Sequence, residues 1–248
     1  MSLTATLLVT LALLFAPWVI MPRARVGETA GLVRILWWLN VFYCAFWHRF
    51  RLPERDPLPA HGAAILISNH TSGVDHMLLQ ASTRRALGFV IAKELYDVPL
   101  HRPFCRLIGC IPVKRDGRDL AATRAALRAL ASGRVLPIFP EGHILPTSGR
   151  ELGAGKPGVA YLAMTARVPV IPAYIRGTPA TNNLVRSLRT PSHAQVFFGP
   201  PVDLSDFLSG GKFERDRLDE VTARLMDAIR ALQNQARSAE DAHDGQRP

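Results

Sequence analysis

The chain has 248 residues, enough for one sizeable domain with its own hydrophobic core. Its 30 lysines and arginines against 20 acidic residues give a formal net charge of +10, which favours an anionic partner: a phospholipid surface, a nucleic acid or a phosphorylated substrate. The three cysteines form no Cys-x-x-Cys pair, so composition argues against a disulfide framework and suits a reducing compartment.

The N-terminal part has the composition of a membrane-anchoring element. Residues 3–21 carry no charged side chain and, at about 1.5 Å per residue, approach the roughly 30 Å hydrocarbon core of a bilayer. Arg23 and Arg25 follow, which predicts a domain on the cytoplasmic face of the cell membrane. Residues 31–50 form a second apolar stretch, in which aromatic side chains beside basic ones favour the membrane surface, although an ordinary docking helix fits as well. We predict a membrane-anchoring two-helix element over residues 1–52; whether its first helix spans or only embeds in the bilayer stays open.

After a proline-rich linker at residues 53–62, apolar runs alternate with helical patterns. Strands are predicted at residues 63–68, 88–92, 110–114, 135–139, 168–175 and 194–198. Helices are predicted at residues 74–82, 118–131 and 156–166, with an amphipathic C-terminal helix around residues 218–232. The alternation predicts an α/β layered domain over residues 63–237, with a largely parallel central sheet flanked by helices. Residues 238–248 are expected to form a disordered tail.

A polar segment directly after the first predicted strand has the strongest catalytic pattern. His70 falls at the carboxyl edge of the sheet, where open α/β sheets bind ligands. Asp75, five positions later, can accept the Nδ1 proton of the imidazole and leave Nε2 free as a base. Without a Gly-x-Ser-x-Gly elbow or a nearby cysteine, the expected target of that base is a substrate hydroxyl. A surface histidine near a helix cap is the alternative for the pair in isolation, and a metal site that adds His76 has too few ligands at suitable spacing.

Polar clusters also follow three other predicted strands. They contain Lys93, Lys114, Arg115, Glu141 and Gly142. Each cluster alone is acceptable as a solvated strand end or a turn. Together with the His–Asp pair, they indicate a single site along one edge of the sheet.

At this point the chain resembles the glycerolipid acyltransferases typified by bacterial lysophosphatidic acid acyltransferase. Four motifs of that family stand in the right order: Asn-His-x-x-x-x-Asp at 69–75, a Gly-x-Ile-x-Val-x-Arg type at 109–115, Phe-Pro-Glu-Gly at 139–142 and a Val-Pro-Val-Ile-Pro type at 168–172. The family's Ala-Lys-x-Glu-Leu stretch is echoed, one residue shorter, at 92–95, and its entry to the next helix at 155–160. The N-terminal two-helix element is also similar to that of the family.

The resemblance implies transfer of a fatty acyl group from acyl-CoA or acyl carrier protein to the free hydroxyl of a lysophospholipid, above all 1-acyl-glycerol-3-phosphate, giving phosphatidic acid. His70 would be the general base and Asp75 its orienting group, with no cofactor beyond the acyl donor and no metal. Glu141 is expected to fix its loop or a basic neighbour, because its charge would repel a phosphate. Substrate-binding positions are expected at Asn69, Lys93, Lys114, Arg115, Glu141, Gly142 and His143, and acyl-pocket walls at Phe104, Leu107 and Ile108.

One departure from the family concerns the acceptor. The family usually continues Phe-Pro-Glu-Gly-Thr-Arg, and that arginine is linked with binding the acceptor's phosphate; here the two positions are His143 and Ile144. Either Arg115, Lys114, Arg150 or His143 replaces the arginine, or the acceptor is another lysolipid with an amino acid or a sugar in its headgroup. A catalytically silent, membrane-tethered lipid-binding protein and an acyl-CoA hydrolase are the remaining alternatives, whereas no nucleic-acid-reading motif accompanies the charge.

Overall fold

The computed structural model describes residues 30–99, 101–114, 119–208 and 214–244 of the chain. Helix α1 (Ala30–Trp47) precedes an irregular segment and an α/β domain. In chain order, the domain contains β1 (Ala64–Ser68), α2 (Asp75–Ala81), β2 (Val90–Ala92), α3 (Lys93–Tyr96), α4 (His101–Ile108), β3 (Ile111–Val113), α5 (Leu120–Ala131), β4 (Val135–Ile138), α6 (Gly158–Ala166), β5 (Val170–Arg176), α7 (Leu184–Arg189), β6 (Gln195–Phe198), α8 (Ser205–Leu208) and α9 (Arg215–Asp244).

The central sheet has the strand order β4-β1-β5-β6. Strand β1 runs parallel to both β4 and β5, and β6 runs antiparallel to β5. Strands β2 and β3 form a separate parallel pair that lies beside β4, because the Gly88 N–H donates to the Val135 carbonyl oxygen at 3.0 Å. The predicted α/β fold with a largely parallel sheet is therefore confirmed, and every predicted strand is present within two residues of its expected bounds.

Strand β1 is the centre of a three-layer arrangement. Its residues are buried on both faces, which explains why the strand is a continuous apolar run rather than an alternating one. Ile65 and Ile67 pack into the core formed with α5, α6 and α9. Ala64 and Leu66 point to the opposite face, where α1 and α2 cover the sheet. Parallel strands β4, β1 and β5 end at the same edge, so the segments that follow them meet there.

Helix α1 packs one side against α2 and leaves the other side exposed. The Trp37 indole N–H donates to the Thr83 carbonyl oxygen at 2.9 Å, and the Asn40 amide donates to the Met77 carbonyl oxygen at 2.8 Å. The opposite side carries apolar residues at three- and four-residue spacing that are 56–72% exposed: Leu32, Ile35, Leu39, Phe42 and Phe46. In the described part of the chain, no helix has both the length and the apolar character needed to cross a bilayer, and the segment predicted at 3–21 lies outside that part.

The C-terminal helix is longer than predicted. Buried residues Val221, Leu225, Ile229, Leu232 and Ala236 form the stripe that holds α9 on the sheet. The helix continues to Asp244, whereas the rest of the tail predicted at residues 238–248 lies outside the described residues. Once packing has nucleated a helix, each further residue that is fixed adds a hydrogen bond, which favours such an extension.

Candidate active site

His70 and Asp75 lie on the turn that joins β1 to α2. The His70 Nδ1 atom is 2.9 Å from Asp75 Oδ2, and the two side chains are 16% and 0% exposed. Oδ2 also accepts the backbone N–H groups of Thr71 at 2.6 Å and Ser72 at 2.8 Å. Since a carboxylate with these donors acts as an acceptor, the contact favours the tautomer of the neutral imidazole that carries its proton on Nδ1 and leaves Nε2 as an acceptor.

The same contacts explain why the turn folds locally in this way. The cap position of α2, Val74, provides no side-chain hydrogen bond to the helix. The Asp75 carboxylate, in the first turn of α2, instead accepts the backbone N–H groups of Thr71 and Ser72, which precede the helix. A negative charge is also favourable at a helix N-terminus. The His70 ring stacks on Phe139, with 4.0 Å between centroids and 8° between planes, which restricts its orientation.

Glu141 holds the backbone beneath the histidine. Its Oε1 accepts the His70 N–H at 3.0 Å, and its Oε2 accepts the Gly153 N–H at 3.0 Å. The carboxyl group is buried, and burial raises its pKa against the opposing effect of the two N–H donors. Glu141 therefore ties the loop after β4 to the turn that carries His70.

Asn69 also lies below the site rather than facing substrate. Its side-chain Nδ2 donates to the Ile175 carbonyl oxygen at 2.8 Å, and its Oδ1 accepts the Ile175 N–H at 2.7 Å. Both polar groups of this buried amide are thus engaged with the backbone of β5. The structure places Asn69 as a link between β1 and β5, which differs from the substrate contact expected for it.

Two residues that sequence reasoning missed support the catalytic turn from the segment after β5. The buried Ser187 hydroxyl oxygen accepts the Ser72 hydroxyl at 3.1 Å and the Gly73 N–H at 3.2 Å. The Thr178 and Thr71 hydroxyl oxygens are 2.6 Å apart, and the Thr71 hydroxyl also donates to Asp75 Oδ1 at 3.2 Å. No sequence signal could have found these contacts, because they join positions more than 100 residues apart.

The predicted cationic positions that the structure describes are exposed, and one of them is paired with an acid. The Lys93 ammonium lies 2.5 Å from the carboxylate of Asp97, four residues later in the chain, and this ion pair is exposed. Lys114 and His143 are exposed, and Arg115 lies outside the described residues. Gly142, at φ +76°, donates its N–H to the Phe139 carbonyl oxygen at 3.0 Å, so this amide is engaged in the turn.

A cation that sequence reasoning missed lies on Gly142. A β-carbon at position 142 would be 2.7 Å from the Lys156 Nζ, so the lysine side chain occupies the space that only glycine leaves free. The Lys156 N–H donates to the Pro140 carbonyl oxygen at 2.8 Å, which fixes the backbone of the lysine beside the same loop. The Gly-Lys-Pro-Gly sequence at 155–158 was the available signal, but it was interpreted only as a helix entry.

The residues expected to form acyl-pocket walls lie on α4. Phe104 is 47% exposed and Leu107 is 36% exposed, while Ile108 is half-buried. Cys105 is the buried residue of this helix, so its apolar side chains at 104 and 107 face outward in the described structure.

Burial lowers the pKa of His76 to about 4, and the nearby His70 contributes in the same direction. Its ring packs edge-on against Phe89, with 5.7 Å between centroids. Within the described ranges, no three His, Cys, Asp or Glu side chains are grouped as a metal site requires.

A histidine held by a buried carboxylate at the carboxyl edge of a parallel sheet has the arrangement that a general base requires. Comparison with known proteins shows the class of protein: the chain belongs to the acyltransferase family, whose model matches residues 49–176, more than half of its length. The match includes His70, Asp75 and Glu141. The protein is an acyltransferase.

Relatives with curated names differ in the acceptor that their names state. The chain is 23% identical to the 1-acyl-sn-glycerol-3-phosphate acyltransferase of Bacillus subtilis over 73% of this chain and 86% of that protein. It is 29% identical to the lyso-ornithine lipid O-acyltransferase of Rhodobacter capsulatus over 61% of this chain and 62% of that protein. The crystal structure of the 1-acyl-sn-glycerophosphate acyltransferase PlsC from Thermotoga maritima matches with a TM-score of 0.64 at 20% identity, over 90% of this chain and 86% of that one, and shows the shared fold.

Proposed function

We propose that the protein transfers a fatty acyl group from acyl-CoA or acyl carrier protein to the free hydroxyl of a lysophospholipid, above all 1-acyl-glycerol-3-phosphate, giving phosphatidic acid. The observation that carries this proposal is the His70–Asp75 pair, because its geometry leaves Nε2 as a base at a partly exposed edge of the sheet. The acyl donor is the only further component of the reaction, which uses neither a metal nor another cofactor.

In this mechanism the acceptor hydroxyl lies against His70 Nε2. The imidazole takes the hydroxyl proton as the oxygen attacks the thioester carbonyl carbon, and the buried Asp75 carboxylate stabilises the imidazolium. Collapse of the tetrahedral intermediate breaks the carbon–sulfur bond, and the leaving thiolate receives the proton from the imidazolium. General base catalysis of this kind contributes about 10²–10⁴ in rate.

The exposed apolar side of α1 supports a location at the membrane. Its five large residues lie along one side of the helix and are 56–72% exposed. An apolar stripe of this kind on a helix suits burial at the boundary between headgroups and acyl chains. We place this side of α1 in the surface of the cell membrane and the catalytic domain on the cytoplasmic face, where lysolipid and acyl donor are both accessible.

A second acceptor class is favoured by one feature of the chain. Ile144 stands where the resemblance leads us to expect an arginine, so the fixed bidentate phosphate donor is absent there. The relative from Rhodobacter capsulatus, named for a lyso-ornithine lipid, shares 29% identity. A lysolipid with an amino acid in its headgroup is therefore the second candidate acceptor.

The proposal is tested with the full chain expressed in membranes. Labelled acyl-CoA and acyl carrier protein are each offered with lysophosphatidic acid, lyso-ornithine lipid and a sugar-bearing lysolipid, and the products are identified by mass spectrometry. His70→Ala should abolish product formation, while the matched variant His61→Ala, at an exposed position of the preceding segment, should not. Phosphatidic acid formed by the wild type alone supports the first acceptor, and acylation of another lysolipid supports the second.

Two results would contradict the proposal. Release of free fatty acid without any acylated acceptor would assign a thioester hydrolase. Absence of turnover with every donor and acceptor, combined with lipid binding, would assign a catalytically silent binding protein.

A further inference from the structure

We infer that Lys156 binds the phosphate group of the acceptor lipid, in place of the arginine that is absent at position 144. The inference rests on the proposed function and specifies the acceptor as a lysolipid with a phosphate monoester in its headgroup.

The position of Lys156 is set by the loop after β4. Its backbone N–H donates to the Pro140 carbonyl oxygen at 2.8 Å, and its ammonium nitrogen lies 2.7 Å from the point where Gly142 would carry a β-carbon. Glu141, between those two loop residues, accepts the His70 N–H at 3.0 Å. The lysine is therefore connected to the catalytic base through a single loop whose backbone is anchored at both ends.

The ammonium group is available to a ligand. It is exposed, and none of the ion pairs found between described residues includes it. The acid beside Gly142, Glu141, is buried and directs its two oxygens to the N–H groups of His70 and Gly153. Lysine binds phosphate as a compact point charge, without the planar fork of arginine, so it can replace an arginine only where the backbone brings it close to the anion.

Two other lysines predicted at the site are less well placed. Lys93 is paired with Asp97 at 2.5 Å. Lys114 follows β3, which is separated from β1 by β4 and β2; at about 4.8 Å between neighbouring strands this places it roughly 14 Å to one side of the base. Lys156 instead adjoins the end of β4, the direct neighbour of β1.

The chemistry of the acceptor agrees with this placement. In 1-acyl-glycerol-3-phosphate, only two carbons and an ester oxygen separate the reacting hydroxyl oxygen from phosphorus. The phosphate must therefore lie beside the base when the hydroxyl is bound to Nε2. The loop that contacts His70 also supports Lys156, which brings a cation to the segment next to the base.

The first test measures steady-state kinetics of the purified full chain in detergent micelles at saturating acyl-CoA. Lys156→Met should raise KM for 1-acyl-glycerol-3-phosphate about tenfold to a hundredfold, as expected for one charge-assisted hydrogen bond, and leave kcat within about threefold. Lys156→Arg should restore most of the affinity. Arg215→Met removes the same charge from an exposed position at the start of α9 and should behave as wild type.

The second test measures binding of sn-glycerol 3-phosphate by titration calorimetry, independently of turnover. The wild type and His70→Ala should bind it, and Lys156→Met should bind at least about tenfold more weakly. Equal loss of activity on the phosphate-bearing acceptor and on monoacylglycerol, with unchanged binding of glycerol phosphate, would overturn the inference. A rise in KM for acyl-CoA instead of the acceptor would also overturn it, because Lys156 would then bind the phosphates of the donor.

The two proposals fail separately. If the wild type transfers no acyl group but binds glycerol phosphate through Lys156, the phosphate site stands and the proposed function falls. If acyl transfer is observed but neither KM nor glycerol phosphate binding responds to Lys156→Met, the proposed function stands and this inference falls.

Discussion

Replacement of Glu141 by glutamine tests whether the buried carboxylate positions His70. Each oxygen of Glu141 accepts one backbone N–H, from His70 and from Gly153, both at 3.0 Å. Glutamine has the same shape but only one acceptor oxygen, so its amide NH2 must face one of the two N–H donors. The variant therefore loses a hydrogen bond to a charged acceptor and leaves a buried donor unpaired.

The size of the effect follows from these contacts. An unpaired buried donor costs about 1–3 kcal/mol. The charge adds no net stability to this, because burial, which raises the pKa of Glu141, outweighs the two N–H donors that favour the charged form. We expect Glu141→Gln to lower the free energy of unfolding by about 1–2 kcal/mol near neutral pH. We also expect kcat to fall by about 10–100-fold, with little change in KM, because His70 is no longer held in place.

The pH dependence has a definite sign. Because the pKa of Glu141 is higher in the folded than in the unfolded chain, its contribution to stability is complete below the unfolded pKa and decreases as the pH rises through the folded pKa. The glutamine variant lacks this titration. The difference in unfolding free energy between the two proteins should therefore be largest in acid and become smaller as the pH rises.

The assay combines denaturant unfolding in micelles with steady-state kinetics on the acceptor that the wild type uses. Glu151→Gln, an exposed position on the same loop, is the matched control and should change neither quantity. Wild-type stability together with wild-type kcat in Glu141→Gln would refute the anchoring role. Lost activity at unchanged stability would refute it as well, since it would indicate a direct part in the chemistry.

Three further variants test the residues around His70. Asp75→Asn should lower kcat by about 10²–10⁴-fold with KM nearly unchanged, because the imidazolium loses its charged partner; kinetics within tenfold of wild type would contradict the proposed mechanism. In the wild type, the unfolded chain binds a proton at His76 between pH 6.5 and about 4 that the folded protein does not, so the free energy of unfolding should fall by about 2–3 kcal/mol over this range. His76→Gln should not show this decrease. Denaturant unfolding at several pH values measures it, and the same pH dependence in both proteins would contradict the reasoning. Ser187→Ala should destabilise the fold by about 1–3 kcal/mol and reduce kcat, because the Ser72 hydroxyl and the Gly73 N–H lose their acceptor. Thr190→Ala, at the exposed end of the same helix, is the control. Equal effects of the two substitutions would argue against the anchoring contact.

Local patterns were sufficient to predict most of the fold. Strands β1 and β5 are apolar along nearly their whole length because both faces of a parallel sheet are covered, and such runs are recognisable without knowing their partners. The contact between His70 and Asp75 was equally predictable, since the two residues are five positions apart and the turn brings them together. Sequence also predicted the loop-fixing role of Glu141, although not the groups to which it binds.

Contacts that depend on the order of the strands in the sheet were decided only by the tertiary structure. The Glu141 carboxylate meets the backbone N–H of His70, 71 residues away, because β4 pairs with β1. Asn69 meets Ile175, 106 residues away, because β5 pairs with β1 on the other side. Nothing in the spacing of these residues determines which strands become neighbours. Sequence reasoning therefore predicted Asn69 at the substrate, whereas its side chain is bonded to the backbone of β5.

The position of Lys156 and the outward direction of Phe104 have the same cause. The residue type determines which interactions a side chain can make, whereas the packing of its helix, strand or loop determines which groups it faces. In this protein, the sequence by itself determined the elements and the contact between His70 and Asp75, because both arise from short-range periodicity and local hydrogen bonding. The tertiary structure decided which loops surround that pair, because parallel pairing brings distant strand ends to one edge of the sheet.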